Sequence, residues 1–215
     1  MAGPSGTTPI YGFPFPTPDD TVDVPRDVQA LAMSLDGMSS LRPPLVTSLS
    51  GSPVDGQEVY YLADATAGVI WHLRYRAASG STYKWELIGG SPVRNGDDAT
   101  VSTGSTTFVA LTGGPAITVP LAGDYDIELS AWIQPPAAAA QLAIVSFSVG
   151  AAAATDTDGL DVRNPAAGNL AVQTSRTVRK TGIAASTTLT AMYRSSGATA
   201  NFLRRWMRII PVRVG

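Results

Sequence analysis

The chain has no cysteine, a single histidine, and no acidic residue after Asp161. The first absence removes disulfides, thiolate nucleophiles and zinc-thiolate sites; the second removes any multi-histidine metal cage. No window carries the roughly eighteen or more consecutive apolar residues of a membrane-spanning helix. The opening MAGPSGTTPIYGFPF has neither a basic stretch nor an apolar one of the kind that directs secretion, so no membrane insertion is expected. Also missing are a Gly-rich phosphate loop ending in Lys-Ser or Lys-Thr, a dinucleotide fingerprint and a serine in a nucleophile elbow. The expectation is a protein without catalysis, cofactor or bound metal.

What is present points to β-structure. The 215 residues include 21 glycines and 16 prolines, and Ala, Ser and Thr fill many of the gaps, which favours short strands joined by turns. Charge is unevenly spread: residues 1–161 hold all 17 acids and 6 basic residues, whereas residues 162–215 hold 9 basic residues and no acid. A basic tail of this kind can contact nucleic acid. Here its arginines alternate within a presumed core strand, so pairing with carboxylates of early strands or of a neighbouring subunit is expected instead.

Residues 1–22 form an extended Pro-rich arm, because proline resists helices and central strands. Tyr11, Phe13 and Phe15 are its candidate anchors on a partner surface. Residues 23–38 read as a short helix, with Asp23 as cap, Pro25 in the first turn and Gly37 as stop. Val28, Leu31, Leu35 and Met38 form an apolar stripe too short to hold a coiled coil alone. The helix must pack on its own chain or associate with copies tied together elsewhere.

Residues 39–56 read as a linker and residues 57–90 as a small three-strand β meander. In the middle strand Val69, Trp71, Leu73 and Tyr75 face one way, and Ile70, His72, Arg74 and Arg76 the other. So small a sheet needs aromatic filling, and His72 falls on its polar face, where a cross-strand role is expected.

Residues 91–215 read as a head, an antiparallel jelly-roll-like sandwich with strands near 105–111, 116–120, 124–133, 141–149, 160–163, 170–179, 187–194 and 201–214. The last strand, NFLRRWMRIIPVRVG, has apolar groups on both faces. Leu203, Arg205, Met207, Ile209 and Pro211 alternate with Phe202, Arg204, Trp206, Arg208, Ile210 and Val212. Either a sister subunit covers the second face, making Arg204, Trp206 and Arg208 oligomer contacts, or a bulge shifts the face mid-strand. Asp124, Asp126 and Glu128 share a strand face, and DTDGLD at 156–161 has oxygen ligands in a turn. Both are read as solvated surface rather than as catalytic or calcium sites. Trp132 and Tyr193 are candidate glycan contacts at a rim of the sandwich.

The segments YGFPFPTPDDTVDVPRDVQALAMSLD and DGQEVYYLADATAGVIWHLRYRAASGSTYKWELIGG resemble stretches of minor structural proteins of tailed bacteriophages, usually described as minor tail or fibre proteins. The likeness covers about 60 residues and rests most on Gly56-Gln57-Glu58-Val59-Tyr60-Tyr61 with Trp71, Arg74, Tyr75, Tyr83, Trp85 and Glu86. It implies a virion component, a homotrimer whose N-terminal arm attaches to the particle and whose head projects outward. No collagen-like or coiled-coil shaft is present. The resemblance therefore implies a short tail fibre or spike attaching to a host-surface glycan or receptor, with a capsid decoration or head-fibre protein as the alternative and a glycan depolymerase third.

Overall fold

The structure, a computed structural model, describes residues 6–7, 14–15, 17, 24–36 and 43–215. Within the arm, β1 (Gly6–Thr7) pairs antiparallel with β2 (Pro14–Phe15). Helix α1 spans Val24–Asp36, with Pro25 in its first turn, where the missing N–H goes unused, and Asp27 near the positive end of the helix dipole. Tyr11, Phe13, Asp23, Gly37, Met38 and the side chains of Phe15 and Leu35 lie outside the described residues. Of the expected apolar stripe, Val28 is 60% and Leu31 37% exposed, and Val24 and Met33 are exposed beside them.

Strand β3 (Leu45–Val46) falls inside the expected linker and runs parallel to β4 (Glu58–Asp64). Strands β4, β5 (Val69–Tyr75) and β6 (Trp85–Gly90) form the antiparallel meander. Val59, Tyr61, Trp71, Leu73 and Trp85 are buried on its inner face. His72 lies on the outer face, its Nε2 2.9 Å from Glu58 Oε2 and its ring tilted against Tyr60 with centroids 4.6 Å apart.

The remaining strands are β7 (Val93–Asp97), β8 (Val101–Thr103), β9 (Ala116–Thr118), β10 (Gly123–Gln134), β11 (Leu142–Val149), β12 (Leu160–Arg163), β13 (Val172–Ile183), β14 (Thr188–Ser195) and β15 (Ala200–Val214), with a 3-10 turn at Asp156–Asp158 before β12. One sheet runs β13-β10-β15 and continues on the far side of β15 with β7 and β8; the other runs β12-β11-β14-β9. Apart from β7 with β8 and β11 with β12, successive strands cross between the two sheets, the arrangement of a jelly-roll-like sandwich. The inner face of β10, from Tyr125 through Ile127, Leu129 and Ala131 to Ile133, is buried against Phe147, Leu189 and Tyr193 of the opposite sheet. This is the alternation that its sequence predicts.

Two features depart from the sequence reading. Residues 105–111 form no strand; Val109 makes one isolated bridge to Tyr193, while β7 and β8 occupy the sheet edge. VRNGD and VST are short and polar, and Asn-Gly reads as a turn. Gly96 is nevertheless in a strand, paired with Trp206, and glycine is required there because a Cβ would stand 2.7 Å from Trp206 Cβ and 2.8 Å from Arg205 O. The second departure is β15, which is bulged between Leu203 and Trp206 and again between Pro211 and Arg213. Arg204 takes the left-handed backbone at the first bulge, φ 49°. The bulge carries Phe202, Arg205, Met207 and Ile209 onto one buried face. Of the two readings of this strand, the bulge is observed.

Meander and sandwich share one core. The last residues of β15 pair with β6, Val214 opposite Trp85 and Arg213 opposite Glu86. The Trp71 ring centroid lies 6.2 Å from that of Tyr125, and Trp71 Nε1 donates to Ser91 O at 3.0 Å.

Candidate functional site

Six of the nine basic residues of the last third pair with carboxylates of the same chain. Arg179 grips both Asp126 oxygens at 2.8 Å, and Arg208 Nε donates to Glu128 Oε2 at 2.6 Å. Arg194 holds Asp156, Lys180 holds Asp158, and Arg213 reaches Glu86. Hydrogen bonds from Arg179 and Arg194 hold the Asp126 and Asp156 carboxyls below the usual carboxylate range. The expected seam between chains is therefore an intramolecular one for these arginines. Asp124, the third acid on its strand face, accepts the Gly182 N–H. Of the two carboxylate groups singled out in the sequence, all but the exposed Asp161 are occupied by protein partners in this way.

Around the free edge of β7 the pattern changes. A cleft of about 310 Å³ is lined by Arg94, Asn95, Asp97 and Asp98 from β7 and the turn after it, and by Arg205 and Trp206 from β15. Its polar floor is the Arg205–Asp97 pair. The bulge turns Arg205 inward, where it is 0% exposed; Nη2 donates to Asp97 Oδ2 at 3.2 Å, and Asp97 Oδ1 accepts the Ala99 N–H at 2.8 Å. Arg205 Nε and Nη1 have no hydrogen-bond partner. Its guanidinium lies 5.7 Å from the Tyr193 ring centroid. Gly113, at φ +66°, lets the 112–114 loop close on this pair, since a Cβ there would meet Asp97 Oδ2 at 2.2 Å.

The rim is less engaged. Trp206 is half-buried, with the guanidinium groups of Arg94 5.1 Å and Arg208 5.7 Å from its ring centroid. Among the described residues, the side chains of Arg94, Asn95 and Asp98 make no hydrogen bond or ion pair. A second cleft of about 400 Å³ adjoins the first, sharing Arg94 and Asn95 and extending to Asp64, Ile117 and Pro120.

No family model matches the chain. No curated protein matches it either. Among solved structures it is similar to the carbohydrate-binding module CBM6cm-2 of Cellvibrio mixtus lichenase 5A, solved with cellotriose: 14% identity over 55% of this chain and 85% of that one, TM-score 0.29. It is also similar to the VP2 subviral particle of infectious bursal disease virus, with 11% identity over 65% of this chain and 39% of the VP2 chain, TM-score 0.34.

Of the residues singled out in the sequence, Trp206 lines the cleft and Arg208 flanks its indole. Arg204 is exposed at the bulge beside it. The two candidate glycan contacts are not brought together. Tyr193 is 0% exposed on the inner face of β14, so it is a core residue; burial raises its hydroxyl pKa against the opposing charge of Arg205. Trp132 is half-buried on the outer face of β10, opposite Leu203. Asn95, Asp97 and Asp98 escaped notice because RNGDD has the composition of a turn. The one signal in the sequence was an arginine doublet inside an apolar strand.

Proposed function

We propose that this protein is a structural component of a virus particle, held by its N-terminal segment and displaying the β-sandwich outward, without chemistry of its own. The observation that carries the reading is where apolar surface remains. Among the described residues, the exposed large apolar side chains are Val24, Val28, Leu31 and Met33 on α1, Leu45 and Val54 in the connection, and Tyr60, Ile70 and Ile88 on the meander. None belongs to the sandwich. A chain that is apolar at its base and polar over its head is built to be held at one end.

The bacteriophage resemblance supplies the kind of particle. The direct β6–β15 pairing leaves no shaft between base and head, which favours a capsid decoration or head-fibre role; a short tail fibre or minor tail protein is the second reading. A homotrimer joined through the α1 stripe, rather than through β15, is part of the proposal, and repeated copies would add avidity for a repetitive host surface. Immunogold labelling of particles made from the encoding genome tests it. Label over the capsid supports decoration, label at the tail supports the fibre, and purified particles lacking the chain would refute both. Light scattering is expected to give a trimer mass that Leu31→Asp reduces.

A further inference from the structure

We propose that the β7-edge cleft binds a neutral saccharide, with Trp206 as the surface for one face of a sugar ring and Arg94, Asn95 and Asp98 as hydroxyl partners. The inference deepens the attachment reading above, on which its biological meaning rests.

Four observations lead there. First, the cleft has a balanced formal charge: Arg94 and Arg205 oppose Asp97 and Asp98, so neither an anion nor a cation gains from entering. Second, the rim mixes groups that only donate, the guanidiniums, with groups that only accept, the carboxylates, and adds one amide that does both. A hydroxyl donates and accepts at once, so neighbouring hydroxyls on a sugar ring satisfy such a rim where a carboxylate or an ammonium satisfies half of it. Third, Arg94, Asn95 and Asp98 make no hydrogen bond or ion pair, in contrast to Asp126, Glu128, Asp156 and Asp158 elsewhere on the sandwich, and Arg94 has only its cation–π contact with Trp206. Fourth, the fully buried Arg205 guanidinium underlies the cleft and fixes the Asp97 carboxylate, which is 36% exposed, at its floor.

Size agrees. About 310 Å³ lies at the small end of ligand pockets, enough for one ring, and the adjoining 400 Å³ beyond Arg94 and Asn95 offers room for the next. Gly96, cross-strand from Trp206, adds no side chain to the cleft. Trp206 is only half-buried, so part of its indole is open to the C–H groups of a ring.

The test is titration calorimetry of the full chain against neutral hexasaccharides of the cello-, malto-, xylo- and manno-series, with hexagalacturonate and inorganic phosphate as charged comparators. Saturable binding of at least one neutral oligomer is expected. It should weaken about tenfold in the Asn95→Ala/Asp98→Ala double variant, which removes two exposed hydrogen-bonding side chains and leaves the core intact. Trp206→Ala should abolish it, with circular dichroism checking the fold. Failure of every neutral member to bind, preference for the charged comparators, or binding unchanged in the double variant would each overturn the proposal. Particle labelling is a separate readout, so the cleft can fail while the protein is still found on virions, and the reverse.

Discussion

Residues 24–88 and residues 91–215 bury their interiors by different means and finish their surfaces differently. The meander is filled by Tyr61, Trp71 and Trp85, large rings that supply a core from few positions, and it leaves Tyr60, Ile70 and Ile88 facing out. The sandwich is filled mainly by alternating aliphatic residues from facing sheets, and its outer faces are laced by Arg179–Asp126, Arg194–Asp156 and Arg208–Glu128. The contrast teaches that a core can run continuously, through Trp71 and Tyr125, beneath two surfaces suited to different neighbours. One surface is suited to being covered and the other to being wet.

The largest effect should come from breaking the junction. Trp71→Ala removes a fully buried ring touching both regions and is expected to cost about 3–5 kcal/mol. Chemical denaturation followed by tryptophan fluorescence and far-UV circular dichroism should still show one transition; two separated transitions would mean that base and head fold independently.

Next comes the single inward charge of the sandwich. Asp97→Ala leaves Arg205 buried and uncompensated, for a loss of about 2 kcal/mol, less than for a fully enclosed pair because Asp97 is 36% exposed. Arg205→Met, which fills the same space without charge, should stay within about 1 kcal/mol of the parent. Thermal melts of the two variants sharpen the comparison; equal losses would mean that the pair acts through shape rather than charge.

Gly96→Ala is expected to cost about 1–2 kcal/mol by forcing β7 away from Trp206, and to open the cleft without touching the meander. Hydrogen exchange should speed up at β7 and not at β5. Uniform acceleration would contradict a local effect.

The smallest effect is electrostatic. Asp126 and Asp156 have carboxyl pKa values below the ordinary 3.8 in the fold. A depressed folded value means that their stabilisation is fully present above 3.8 and is lost as pH falls through the lower folded values. Asp126→Asn with Asp156→Asn should therefore lower the neutral Tm slightly and flatten the acid side of a Tm-against-pH curve by the same small amount, the two curves converging at low pH. An unchanged acid limb would remove these pairs from the account of the sandwich surface.

Much of this was legible residue by residue. Strict alternation from Tyr125 to Ile133 revealed both the strand and its buried face, and LDVR at 160–163 was bounded correctly by its turn residues. The aromatic spacing of Val69, Trp71, Leu73 and Tyr75 gave the inward face of the meander. The cleft was hidden for a physical reason: Asn95, Gly96 and Asp97 carry turn preferences, and they adopt a strand because β15 offers a long partner edge and Trp206 needs an empty place opposite. The MYR context leaves the face of Tyr193 undecided; the pairing of β14 with β11 and β9 sets it inward.

The amino-acid sequence by itself determined the β character of the chain, most strand positions, the aromatic filling of the meander and the separation of acidic from basic segments, because these follow from local periodicity and composition. Tertiary structure decided which charges meet, where β15 bulges, and that Arg205 turns inward beside Tyr193. Those outcomes depend on strands far apart in the chain being brought side by side, and a two-residue repeat carries no information about its partner or about the place where an extra residue breaks its phase.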